Sequence, residues 1–207
     1  MNKTVLESDL ARMRPIATGD KSSIQRLAAA KEIANNTYVP HPYPPGAAEE
    51  FVAKVREQWR NEEAFVFAII DKASDQFAGC MGIHPQPAHN RAEVGYWIGL
   101  PYWGRGLATA ALRLIIQFGF EELKLNRIAA GHFPHNPASG RVMQKAKMRY
   151  EGRLRGALYH HDEYRDEIRY AILRADYDND WRKRAATQNE RDRRGLVCGP
   201  STVRFTV

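Results

Sequence analysis

A mixed α/β domain, with a mostly antiparallel central sheet flanked by helices, is what this sequence of 207 residues predicts. Three observations predict it. Helical spacing of apolar residues recurs in four separated stretches, and short apolar, β-branched and aromatic runs crowd residues 64–99. The links between those runs are too short for crossover helices, so neighbouring strands are antiparallel. The order is β-α-α-β-β-β-α-β-α-β-β, without internal repeats.

"ARMRPIAT" (11–18) reads as the first strand. In "GDKSSIQRLAAAKEIANN", Ile24, Leu27, Ala28 and Lys31 fall at helical spacing, with Asp20 or Ser22 as the cap. The four prolines of "TYVPHPYPPG" (37–46) forbid regular structure and stiffen a loop. Helical spacing returns in "AAEEFVAKVREQW" through Phe51, Val55 and Trp59. "AFVFAII", "QFAGCMGI" and "AEVGYWIG" are strands, separated by "DKASD" and "HPQPAHNR". Residues 106–120 form a helix whose face carries Ala108, Ala111, Leu112, Ile115 and Gly119. "RIAAGHF" (127–133) is a strand, and Asn136 followed by Pro137 is a strong helix start. "YEGRLRG", "ALYHH" and "YRDEIRYAILR" read as strands, the last pair joined by a tight turn through Asp162.

Composition is ordinary for a globular protein, 43% hydrophobic and 27% charged, and the length suits one core. One domain is expected over residues 1–180. Of the net charge of +7, residues 181–207 carry +5: Arg182, Lys183, Arg184, Arg191, Arg193, Arg194 and Arg204 against Glu190 and Asp192. With little apolar content, that segment reads as a flexible basic tail, open to a weak nucleic-acid or ribosome contact. No run of about 18 apolar residues exists, and acids interrupt the N-terminal stretch where a secretory signal needs apolar residues. A soluble cytoplasmic protein with no membrane contact follows. Cys80 and Cys198 make no disulfide or metal framework and read as a core thiol and a tail thiol.

The chemistry gathers at "WGRGLAT" (103–109), between a strand and a helix. The free N–H groups of a first helical turn and the helix dipole make an anion site. Gly104 and Gly106 let phosphate oxygens reach the backbone, and Ala108 keeps the next turn low. A dinucleotide fingerprint needs a third glycine where Thr109 stands, and the Gly-Lys-Ser/Thr of a P-loop is absent. No HExxH or Cys–His spacing occurs, so no metal is expected.

"AEVGYWIGLPYWGRGLATAAL", followed by "NPAS" and "MQKAKMRYEG", resembles the GNAT acetyltransferase superfamily, and within it the RimJ/RimL-type branch of ribosomal-protein N-terminal acetyltransferases. The resemblance covers about residues 10–175. Gly106 and Ala108 occupy the small-residue positions of the superfamily's phosphate loop. Trp103 stands where Arg or Gln is commonest, a departure many members of the branch share. Lys147 replaces the usual glycine of "Lys-x-Gly-Phe", which bears on how the preceding helix ends.

The resemblance implies an acetyl-CoA-dependent N-acetyltransferase, monomer or homodimer, working by direct attack in a ternary complex. The pyrophosphate would rest on amides of Arg105, Gly106, Leu107, Ala108 and Thr109. The pantetheine arm would run along the strand ending at Ile98, bonded by Asn136. Ser139 matches the serine of the branch's Asn-x-x-Ser and would serve the leaving thiolate. An α-amine, with a pKa near 7.7 to 8.0, needs only a weak base, and Glu93 is the candidate, acting directly or through a water. Tyr38 and Tyr43 would wall the acceptor groove, and "YHHDEYRD", with His160, would close it; His160 and His161 are alternative bases or plain loop residues. The acceptor is a protein N-terminus or, alternatively, a small amine such as an amino acid, polyamine or antibiotic. An alternative of another class is a CoA-binding protein without catalysis, docked to RNA by its tail.

Overall fold

The computed structural model describes residues 4–179; the predicted tail and Cys198 lie outside them. One sheet organises the chain, in the order β1-β2-β3-β4-β5-β6-β8-β7. Its strands are β1 (Leu6–Glu7), β2 (Ala11–Pro15), β3 (Phe65–Asp71), β4 (Gln76–Gln86), β5 (Arg91–Ile98), β6 (Arg127–His132), β7 (Arg149–His160) and β8 (Glu163–Leu173). All neighbours are antiparallel except β5 and β6, the pair separated in sequence by a helix.

Each face of the sheet carries a core. On one, α4 (Leu107–Glu121) and α5 (Pro137–Lys145) cover Phe67, Ile69, Met81, Ile83, Val94 and Ile128. On the other, α1 (Lys21–Ala28) and α3 (Ala47–Arg60) cover Val66, Ala68, Ile70 and Cys80. Strand β3 is therefore buried on both faces, which explains why it reads as an unbroken apolar run rather than an alternating one. Burial pushes the Cys80 thiol up, as for a core cysteine.

Several elements differ from the sequence reading. The helix expected over 19–36 is two, α1 and α2 (Lys31–Asn36), broken at Ala30, whose backbone is extended. No breaker stands there. Beyond the break, imidazoles of His135 and His160 bond the carbonyls of Asn35, Ala34 and Thr37 and anchor the end of α2. Asp20 does not cap α1 with its side chain; it accepts from Ala17 N–H and is ion-paired to Arg14 at 2.7 Å. The runs "YEGRLRG" and "ALYHH" form one strand, β7, with a register shift between Leu154 and Leu158. The turn to β8 places both His161 (φ 51°) and Asp162 (φ 59°) in the left-handed region, as a two-residue hairpin requires. β4 extends to Gln86 and takes in His84, which the sequence placed in a link.

Lys147 keeps the glycine geometry that its position implies. Helix α5 closes with Lys147 N–H on Gln144 C=O and Met148 N–H on Met143 C=O, each 3.0 Å, a Schellman motif. Lys147 takes φ 69° there, and Met143 and Met148 are buried beneath the turn. A side chain in that conformation costs about 1–2 kcal/mol. Lys147→Gly is expected to stabilise the protein by about 1 kcal/mol, read as a rise of roughly 2–4 °C in Tm by calorimetry.

Candidate functional site

The parallel ladder of β5 with β6 runs only from Arg91–Arg127 to Val94–Ala130. β5 continues four residues further on β4 alone, Gly95 to Ile98 pairing with Gly82 to Gly79. Beyond Val94 its backbone groups on the β6 side have lost their ladder, and a buried polar group without a partner is costly unless a ligand meets it. Two cavities meet at this opening, sharing Val94, Gly95, Tyr96, Trp97, Gly131 and His132 in their walls.

Strand alternation sorts the residues between them. Tyr96 and Ile98 face the α4–α5 side with Val94, whereas Glu93 and Trp97 face the α1–α3 side. The first cavity, about 660 Å³, runs from the gap to the start of α4. Gly104 (φ 73°) and Gly106 (φ 80°) both hold the left-handed conformation that turns the chain into that helix. The first bond into α4 is Ala110 N–H to Gly106 C=O, 3.0 Å, so the N–H groups of Leu107, Ala108 and Thr109 have no acceptor within the helix. They point out of its positive end, a fit for a pyrophosphate.

Side chains brace this loop from outside. The Arg105 guanidinium is ion-paired at 2.9 Å with Asp71, a buried carboxylate at the end of β3. The Ser74 hydroxyl above all, with Arg105 and against the effect of burial, holds the Asp71 carboxyl below its usual range. Trp103 donates its indole N–H to Ile98 C=O at 2.5 Å, tying the loop to the end of β5. Arg105 thus offers the site its backbone rather than its charge.

At the gap, Asn136 accepts Ser139 N–H on Oδ1 at 3.3 Å as the N-cap of α5, which leaves its Nδ2 donors for the cavity it lines. Ser139 Oγ lies 2.7 Å from the Tyr96 hydroxyl. Burial pushes the Tyr96 phenol up to about 12, partly offset by Ser139, so it stays protonated throughout the physiological range. Tyr96 was not among the sequence candidates. Its signal was available: it shares a strand face with Ile98, two residues further along the strand that leads to the phosphate loop.

The second cavity, about 710 Å³, opens on the opposite face. Tyr38 and Tyr43 line it, as do Glu50 and Lys54 from α3, His84 from β4, Glu93 from β5, and Glu167 and Arg169 from β8. Glu93 is not a free carboxylate: Arg169 holds it at 2.5 Å and Glu167 at 2.8 Å. His160 departs from expectation. It lines neither cavity and is buried, with Nε2 at 3.1 Å from Ala34 C=O and 2.8 Å from Thr37 C=O and its ring beside Phe133 and Tyr38. It clamps the hairpin to α2 and is a structural residue. Among the described residues, no cluster of three or more His, Cys, Asp or Glu could hold a metal ion.

Comparison with known proteins agrees with this geometry. The family model described as the Acetyltransferase (GNAT) domain matches residues 11–149. The uncharacterized N-acetyltransferase YoaA of Bacillus subtilis is 26% identical over 171 residues, 82% of this chain and 97% of that protein. The [ribosomal protein uS5]-alanine N-acetyltransferase of Escherichia coli is 25% identical over 139 residues, 66% of this chain and 71% of that one. Among solved structures, RimL, a ribosomal L7/L12 α-N-protein acetyltransferase in complex with coenzyme A, superposes with a TM-score of 0.76 at 17% identity, covering 82% and 98% of the two chains. At that identity the likeness concerns the fold.

Gly106→Val tests the anion loop directly. A Cβ at this position sits 3.3 Å from Leu10 and in a left-handed backbone conformation. At a cost of about 1–2 kcal/mol, CoA affinity by titration calorimetry should fall roughly tenfold or more, with an unchanged far-ultraviolet spectrum.

Proposed function

The chain belongs to the GNAT acetyltransferase family, and from that premise we propose that its acceptor is the α-amino group of a protein N-terminus. It is an N-acetyltransferase using acetyl-CoA, which supplies the acetyl group as a thioester and leaves as the free thiol. In our reading the amides of Leu107 to Thr109 hold the pyrophosphate, Asn136 Nδ2 bonds the pantetheine, and the unpaired edge of β5 beyond Val94 donates to the thioester carbonyl as negative charge develops on its oxygen. Ser139, with Tyr96 behind it, gives a hydrogen bond to the sulfur as it leaves. Glu93, with its charge balanced by Arg169, orients the incoming amine rather than standing free in front of it.

The observation that carries the choice of acceptor is the charge balance of the second cavity. Two of its three carboxylates, Glu93 and Glu167, are ion-paired to Arg169, and Lys54 adds a second positive charge opposite Glu50. A polycationic small molecule needs several unpaired acids, and among the described residues this cavity offers one, Glu50. A chain terminus brings a single positive charge and a neutral backbone, which fits. The name of the E. coli relative, an alanine N-acetyltransferase acting on ribosomal protein uS5, supports the same choice.

The test is acetyl transfer, followed by mass, to peptides with free N-termini, N-blocked lysine peptides, amino acids and polyamines. Label on peptide α-amines is expected; label confined to small amines would overturn the acceptor assignment. In the same assay Ser139→Ala should lower kcat roughly 10²-fold, with less than a threefold change in the KM for acetyl-CoA. An equal loss in both would reduce Ser139 to a packing residue.

A further inference from the structure

An amine that attacks a thioester must shed a proton, and the geometry points to His84 as the group that takes it, given amine acetylation as proposed above. His84 and Glu93 are cross-strand partners on β4 and β5, both on the wall of the acceptor cavity. Only one of them is free. Glu93 is bonded by the Arg169 guanidinium, whereas the His84 imidazole makes no hydrogen bond among the described residues.

The position of the ring gives this its force. Gly82 and Gly95 lie directly opposite each other, at the first rung where β5 has left β6. A Cβ at Gly82 would stand 3.0 Å from His84 Nε2, and one at Gly95 would meet nothing within 4 Å. The imidazole therefore folds back along β4 over a bare glycine floor, with Nε2 leaning toward the opening through which the two cavities communicate. Larger residues at 82 would push the ring away from it. An acceptor amine that reaches the thioester across Gly95 passes this nitrogen.

The electrostatic setting keeps the lone pair available. Burial lowers the His84 pKa from its usual value, Glu93 opposes that, and Lys54 adds to it. Glu50 on α3 and Glu167 and Arg169 on β8 are the other charged groups of the same cavity. The net effect favours the neutral imidazole, the form that accepts a proton. In the step itself, the neutral amine's nitrogen forms the C–N bond, the C–S bond breaks with its electron pair on sulfur, and the N–H proton passes to His84 Nε2. The thiolate, held by the Ser139 hydrogen bond, takes a proton from water in the first cavity, and His84 returns its own to water through the second, so the amine loses one proton and the sulfur gains one.

The experiment compares wild type, His84→Gln, His84→Ala and Glu93→Gln, using whichever amine the wild type acetylates, with kcat measured at saturating concentrations from pH 5 to 9. A base of lowered pKa keeps the wild type active into mild acid, with the acid limb centred below about 6.5. His84→Gln should lose about 10²-fold or more in kcat and lose that limb, with the KM for acetyl-CoA unchanged, and imidazole should restore part of the activity of His84→Ala. Glu93→Gln should keep the limb and raise the KM for the amine. Wild-type kcat and limb in His84→Gln, or loss of the limb in Glu93→Gln alone, would assign the proton elsewhere and leave amine acetylation standing. A wild type that binds acetyl-CoA and acetylates no amine would overturn both.

Discussion

Everything at this site depends on the β5–β6 ladder stopping at Val94 and Ala130. Had the pairing continued to Ile98, the backbone groups offered to a thioester would be spent on β6 and the two cavities would be sealed from each other. The stop is held open from both sides. On one face the first turn of α5 brings Ser139 against Tyr96, and on the other Glu167 lies close over Gly131, leaving no room for a Cβ there. Side chains from distant segments thus border the opening on both faces. β4 supports the freed strand along its whole length, so the opening costs one ladder and not the integrity of the sheet.

A strand open on one edge still has two faces, and period-two alternation gives each its own chemistry. Tyr96 and Ile98 face the α4–α5 side and Glu93 and Trp97 the α1–α3 side, so in the proposed reading neighbours in sequence serve opposite ends of one reaction. The loop that follows is fixed without using its own site-facing groups. Trp103 binds back to Ile98 and Arg105 to Asp71, and the amides of the α4 terminus remain free for an anion. Trp103, a departure from the commonest residue of the family's loop, has a local reason in this chain: its indole takes the carbonyl at the end of β5.

What was legible in the sequence was whatever local spacing determines. The glycines of "WGRGLAT", the Asn-Pro start of α5 and the apolar runs of β3 to β5 each carry their geometry in a few adjacent residues. The two-residue β1 and the break between α1 and α2 left no local mark, and the contacts that anchor α2 come from histidines about 100 and 126 residues away. Glu93 was legible as a strand carboxylate facing a site, but its partner Arg169 is 76 residues further on, across two strand pairings. His84 was hidden for a different reason: the prolines around it in "HPQPAHNR" suggest a link, whereas β4 carries on through Pro85 to Gln86. His160 shows the opposite error, a polar residue in a turn-rich stretch that packs inward because two helix-end carbonyls need a donor.

The division of the site also sets the direction in which protons can move. On the cofactor face the acidic group is a buried phenol, raised to about 12, bonded to a serine and unable to lose its proton to solvent at neutral pH. It can polarise Ser139 toward a departing sulfur and cannot serve as a sink. On the opposite face, His84 is exposed enough to exchange with water, and its cross-strand neighbour Glu93 is already paired with Arg169. A proton released by an amine therefore finds its exit on the side where the amine arrives, and the sheet keeps that route apart from the leaving group.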